Sequence, residues 1–125
     1  MLELLLLTHF IGDFLLQSDW MALNKSKRLD ALFVHATTYA VCFLWVGPTF
    51  ALITLVTHMA TDAITSRITS RLWFFDSKPE VTDIHGVKWM PVRLNGKRHW
   101  FFVMIGFDQL IHAVTLIWTL KLLIP

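Results

Sequence analysis

At 125 residues the chain has the length of one domain, yet 55% of it is hydrophobic and only 16% charged, with a mean hydropathy of +0.56. Soluble domains carry about 25% charged residues, so this balance excludes a disordered chain and argues against a water-soluble enzyme. Cys42, the one cysteine, excludes an internal disulfide and a cysteine-based metal cage, and a net charge of +2 gives no nucleic-acid signal.

A membrane-spanning helix needs about 20 mainly apolar residues, and four stretches meet that length. The first, residues 2–21, carries His9 and Asp13 inside its apolar run. It lacks the basic start and small-residue cleavage site of a signal peptide, so it is read as a retained helix. Asp30 is placed as the N-cap of a second helix over 31–46. Gly47-Pro48 punctuates the chain before a third helix over 49–72, and a fourth covers 100–124. Residues 73–99 form a connector, with a helix start at Asp76-Ser77-Lys78-Pro79 and a turn at Asn95-Gly96. Trp73, Phe74, Phe75, Trp89 and Trp100 suit the headgroup region.

The expected fold is therefore all-α: a polytopic membrane protein with a single transmembrane domain, 1–125, built as a four-helix bundle. With four spans, ten of the 11 Lys and Arg residues, from Lys25 to Arg98, fall on one side, and only Lys121 lies on the other. The positive-inside rule then turns both termini away from the cytoplasm.

Within the spans lie Asp13, Asp62 and Asp108, with His9, His35, His58 and His112. Three unpaired carboxylates would cost on the order of 8–10 kcal/mol if ionised there. His9 and Asp13, His58 and Asp62, and Asp108 and His112 are each four residues apart, which stacks them on one helix face. Gln17 extends the first stripe, and Gln109 flanks the last pair. Counted from the basic boundaries at about 1.5 Å per residue, the three aspartates lie roughly 13–17 Å deep, with His58 and His112 a turn deeper. His35 and Gln17 lie at roughly 9–10 Å, so four helices contribute to one layer in the cytoplasmic half of the bilayer.

A lone histidine in such a helix is an interhelical hydrogen-bonding group, but three His–Asp pairs plus His35 in one layer are not independent accidents. The sequence places no Lys or Arg in the layer; Arg67 and Arg71 lie one to two turns nearer the cytoplasm. Protonated carboxylates or His–Asp ion pairs would neutralise it. So would a divalent metal held by His9, Asp13, His35, His58, Asp62, Asp108 and His112. Mixed imidazole and carboxylate donors suit zinc foremost, and also iron or manganese. Thr8, Thr57, Thr61 and Thr65 are read as packing hydroxyls, Asp19 and Asp30 as boundary residues, and His85 and His99 as outside the site.

The run His9-Phe10-Ile11-Gly12-Asp13-Phe14-Leu15-Leu16-Gln17-Ser18-Asp19-Trp20-Met21 is specific, and it occurs with Lys25, His35-Ala36, His58-Met59-Ala60-Thr61-Asp62 and Asp108-Gln109-Leu110-Ile111-His112. In these motifs the chain resembles a family of short bacterial and phage-encoded membrane proteins catalogued only as a domain of unknown function. The resemblance covers nearly the whole chain. It implies a small helical protein of the bacterial inner membrane with a shared polar core, and brings no activity with it. The family's third and fourth helices are expected to be joined more briefly than by 73–99. A looser likeness, in residue types alone, is to membrane-bound metal-dependent hydrolases.

Three functions compete. In a metal-dependent hydrolase, metal-bound water would attack a lipid or lipid-linked ester, amide or phosphoester. One of Asp13, Asp62 and Asp108 would be the base, with Gln17 or Gln109 orienting substrate and Arg67 or Arg71 near a head group. A proton or metal-ion relay would need a homo-oligomer, and the sequence shows no paired Pro or Gly breaking a span near the site. A non-catalytic membrane factor would use the layer as a staple, with structural metal or hydrogen bonds. The apolar outer halves, Phe43-Leu44-Trp45-Val46 and 117–123, favour a site closed on that side.

Overall fold

In the computed structural model, residues 1–72, 81–82, 88–89 and 98–124 are described. They form a helical bundle: α1 (Leu2–Phe10), a π-helical turn (Ile11–Leu15), α2 (Asp19–Asn24), α3 (Leu29–Val41), α4 (Pro48–Leu72) and α5 (Arg98–Leu123). One small antiparallel ladder pairs β1 (Val81–Thr82) with β2 (Lys88–Trp89). The expected helix start at 76–79 and turn at 95–96 lie outside the described residues. So do the side chains of Trp73, Phe74, Phe75 and Trp89.

The first predicted helix is not continuous. After Phe10 the chain widens into the π-helical turn, where Leu16 N–H donates to Ile11 O at 3.0 Å, and at Ser18 it is extended. Ser18 then caps α2, its Oγ accepting from Met21 N–H. Gly12 lets this turn approach α3 closely, since a Cβ there would lie 3.0 Å from Tyr39 Cδ2. Contrary to the expectation of unbroken spans near the site, this one breaks within five residues of Asp13. Such π-helical turns are frequent at functional sites.

The second helix begins earlier than expected. Its N-cap is Arg28, and Asp30 sits within the first turn, ion-paired to the Arg28 guanidinium and accepting from Ala31 N–H. After Val41 the chain runs through turns to Gly47, whose φ of +147° suits only glycine, and Pro48 opens α4 as predicted.

α3 and α5 both pack on α4, while α1 and the π-helical turn lie against α5 and α3. The end of the bundle near α1's start holds an apolar core of Leu5, Tyr39, Phe43, Phe50, Ala51 and Leu116. Phe43 and Phe50 meet with ring centroids 5.8 Å apart. Toward the other end the interior becomes polar, with His9, Asp13, His35, His58, Asp62 and His112 all buried. The outer surface is the reverse. Leu7, Phe14, Val41, Leu52, Val56, Ile64, Phe107 and Trp118 are all exposed on it.

Among the described residues one helix, His99–Leu123, is long and apolar enough to span a membrane by length and composition. The reasons the others fall short are local. The π-helical turn leaves α1 nine residues, α3 has 13, and the polar residues of α4 lower its hydropathy.

Candidate metal centre

α4 supplies His58 and Asp62 on one face, and α5 supplies Asp108 and His112 on another, in the i,i+4 spacing read from the sequence. α3 contributes His35, and the π-helical turn projects Asp13 inward. Four of these groups converge. His35 Nε2 lies 3.1 Å from Asp13 Oδ1, 3.2 Å from Asp62 Oδ2 and 3.1 Å from His58 Nε2. His58 Nε2 lies 3.6 Å from each of the same two oxygens. His35 is 0% exposed, and His58 and Asp62 are each 1%.

Five of the six separations among these four atoms thus lie between 3.1 and 3.6 Å, and all lie within 4.8 Å. A metal with nitrogen and oxygen ligands at about 2.0–2.1 Å holds them about 3.3 Å apart. Hydrogen bonding alone satisfies the set poorly, because one imidazole nitrogen offers one proton or one lone pair. Here two such nitrogens face each other while both also face two carboxylates. Asp13, His35, His58 and Asp62 therefore form a group that can hold a metal ion.

The remaining carboxylate oxygens face outward and are held. Asp62 Oδ1 hydrogen-bonds His112 Nε2 at 3.1 Å, and Asp13 Oδ2 accepts from Gln109 Nε2 at 2.7 Å. Ligands fixed in this way by an outer layer are characteristic of metal centres. The other imidazole nitrogens depart from that pattern: His35 Nδ1 and His58 Nδ1 are buried without a protein partner among the described residues.

Asp13, Asp108 and His112 form a second group with metal-ligand spacing. Its carboxylates are already engaged. Asp108 accepts from Gln109 Nε2 at 3.2 Å and from the Thr65 hydroxyl, and its Oδ1 lies 3.3 Å from His112 Nε2. Gln109, expected only to flank the Asp108 and His112 pair, bridges Asp13, Asp108 and His9. His9 stands outside both groups. Its Nδ1 hydrogen-bonds Tyr39 Oη at 2.8 Å and its Nε2 hydrogen-bonds Gln109 Oε1 at 2.9 Å. Gln17 lines the same cavity as Asp13, Asp62 and Asp108, and its Oε1 is buried without a hydrogen-bond partner among the described residues.

Three contributors were not legible as such. Lys25 corrects the expectation that no cation reaches the layer: its Nζ lies 2.9 Å from Asp62 Oδ2 and 3.3 Å from His35 Nε2. The break before α2 brings it there, and its presence beside the specific motifs was the only signal. Tyr39 stacks on His58 with centroids 3.8 Å apart and bonds His9, joining the polar layer to the apolar core. Thr65, read as a packing hydroxyl, does donate to Thr61 O, but it also reaches Asp108. Cys42 is half-buried, and its thiol donates to Thr38 O.

The cluster opens on a cavity of about 490 Å³. Asp13, Asp62, Asp108 and Gln109 line it, together with Ala22, Leu23, Lys25, Ser26, Lys27, Thr69, Ser70 and Phe101.

The chain belongs to the family described as "protein of unknown function (DUF3307)", whose model matches residues 1–124. Neither a curated protein nor a solved structure matches it.

Proposed function

We propose that the protein is a four-span bundle of the bacterial inner membrane that hydrolyses a lipid or lipid-linked substrate with the help of one divalent metal. The buried four-donor set Asp13, His35, His58 and Asp62, beside an amphipathic cavity, carries this reading. The four-span placement is supported by an inverted distribution: polar groups inside, large apolar residues outside on every long helix. Positive-inside orientation then sets the cavity, lined by Lys25 and Lys27, in the cytoplasmic half and both termini away from the cytoplasm.

Zinc fits the donor set best, with iron or manganese as other occupants. When bound, the metal lowers the pKa of a coordinated water and polarises a carbonyl or phosphoryl oxygen. The chain does the rest. His112 and Gln109 hold the ligand carboxylates by their outer oxygens. Asp108, on the cavity wall and not in the four-ligand set, is positioned to take the proton of the attacking water. Gln17 lines the same cavity, where it can orient the substrate head group, and the apolar core beyond Tyr39 excludes water from the far side.

One observation favours a second reading. Four protein ligands are the number that structural zinc sites use, whereas catalytic sites keep a position open. A structural metal would make the protein a non-catalytic membrane factor. The test is protein reconstituted in lipid nanodiscs, loaded with zinc and supplied with lipid esters and phosphoesters. Product release that stops on chelation and in Asp108→Asn supports hydrolysis. Stability that depends on zinc, with no product from any substrate, supports the structural role.

A further inference from the structure

Lys25 occupies a place that a metal would contest. Its ammonium touches Asp62 Oδ2 and His35 Nε2, two of the four atoms of the candidate metal-binding set. A divalent cation among those atoms would repel an ammonium about 3 Å from its ligands and take over its partners. Lys25 ends the short helix α2 on a flexible four-carbon stem, so it can leave without any helix moving. The cavity lies beside it, and Lys25 is one of its lining residues.

The cavity's charge depends on the same exchange. Its charged lining residues are Asp13, Asp62 and Asp108 against Lys25 and Lys27. Three carboxylates and two ammonium groups leave it negative, and a divalent cation reverses the sign. Apolar Phe14 and Leu23 line the cavity and are also exposed on the outer surface, at 43% and 70%, so the cavity continues onto the apolar exterior.

We propose that this cavity binds the phosphate head group of an anionic amphiphile, with Lys25 as its anchor, freed when a divalent cation replaces the ammonium against Asp62 and His35. The proposal rests on the metal reading above and names its substrate class. Metal and phosphate binding are then coupled: the cation both releases the anchor and makes the cavity positive.

The experiment uses full-length protein in detergent, with zinc and inorganic phosphate as probes in calorimetry. In Lys25→Gln, zinc should bind about tenfold more tightly, as for a site whose resident competitor is present about nine-tenths of the time. Phosphate should bind wild type only with zinc present, should lose at least about tenfold in Lys25→Gln, and should be retained in Lys25→Arg. A measurement needing no variant is amine acylation of wild type read by mass spectrometry, in which zinc should raise labelling of Lys25. Phosphatidylglycerol nanodiscs should displace the phosphate and phosphatidylcholine nanodiscs should not. Failure of both to displace it assigns the cavity to free phosphate and overturns the lipid claim. Zinc uptake by wild type with no rise in Lys25 labelling, or no tightening in folded Lys25→Gln, overturns this inference and leaves the metal centre standing. No zinc uptake by wild type overturns both.

Discussion

The two ends of the bundle are built from the same helices and buried to the same degree, but by different means. At one end Leu5, Phe43, Phe50 and Leu116 fill the space with rings and aliphatic chains. At the other, six buried histidines and aspartates are held by one another, by Lys25 and by Gln109. Apolar packing tolerates approximate fit and loses energy in proportion to volume removed. The polar end depends on each group having its partner, because an unpaired charge in the interior is costly. Tyr39 belongs to both, with its ring against Phe43 and its hydroxyl on His9.

Substitutions can separate these two modes. The largest effect is expected at Asp13, shared by both metal-spaced groups. Asp13→Asn should weaken zinc binding by about 1,000-fold, roughly 4 kcal/mol, measured by competition with a chelating dye. Phe50→Ala should destabilise the fold by roughly 3 kcal/mol in denaturant titration while leaving zinc affinity unchanged, because its cavity opens at the apolar end. Stripping zinc from protein held at about 100 times its dissociation constant should cost about 2.7 kcal/mol of stability, seen as a lower unfolding midpoint. Tyr39→Phe should be the mildest. Loss of the hydrogen bond to His9 should cost about 1 kcal/mol, with the stacking on His58 kept and zinc affinity within a few-fold.

The i,i+4 pairs of α4 and α5 were legible because both helices are regular, so spacing alone fixes which side chains share a face. The same rule fails for His9 and Asp13. The intervening π-helical turn changes their register and sends His9 to Tyr39 and Gln109. The break at Ser18 carries no Pro or Gly to announce it, so the return of Lys25 into the polar layer was hidden with it. Gly47-Pro48 did announce its turn, through a positive φ and a fixed first helical residue. Tertiary partners such as Tyr39 have no periodic signature, since an aromatic on a helix reads as core.

The central claim is that four protein groups form a metal centre, independent of the apolar end. It is tested most directly by elemental analysis of gently purified wild type beside Asp62→Asn and Phe50→Ala. Near-stoichiometric zinc, iron or manganese in wild type and Phe50→Ala, and none in Asp62→Asn, is the expected result. A wild type that carries no metal and takes none up, or an Asp62→Asn variant that keeps it, would contradict the metal centre. The layer would then be an ion-paired core built around Lys25 and Asp62.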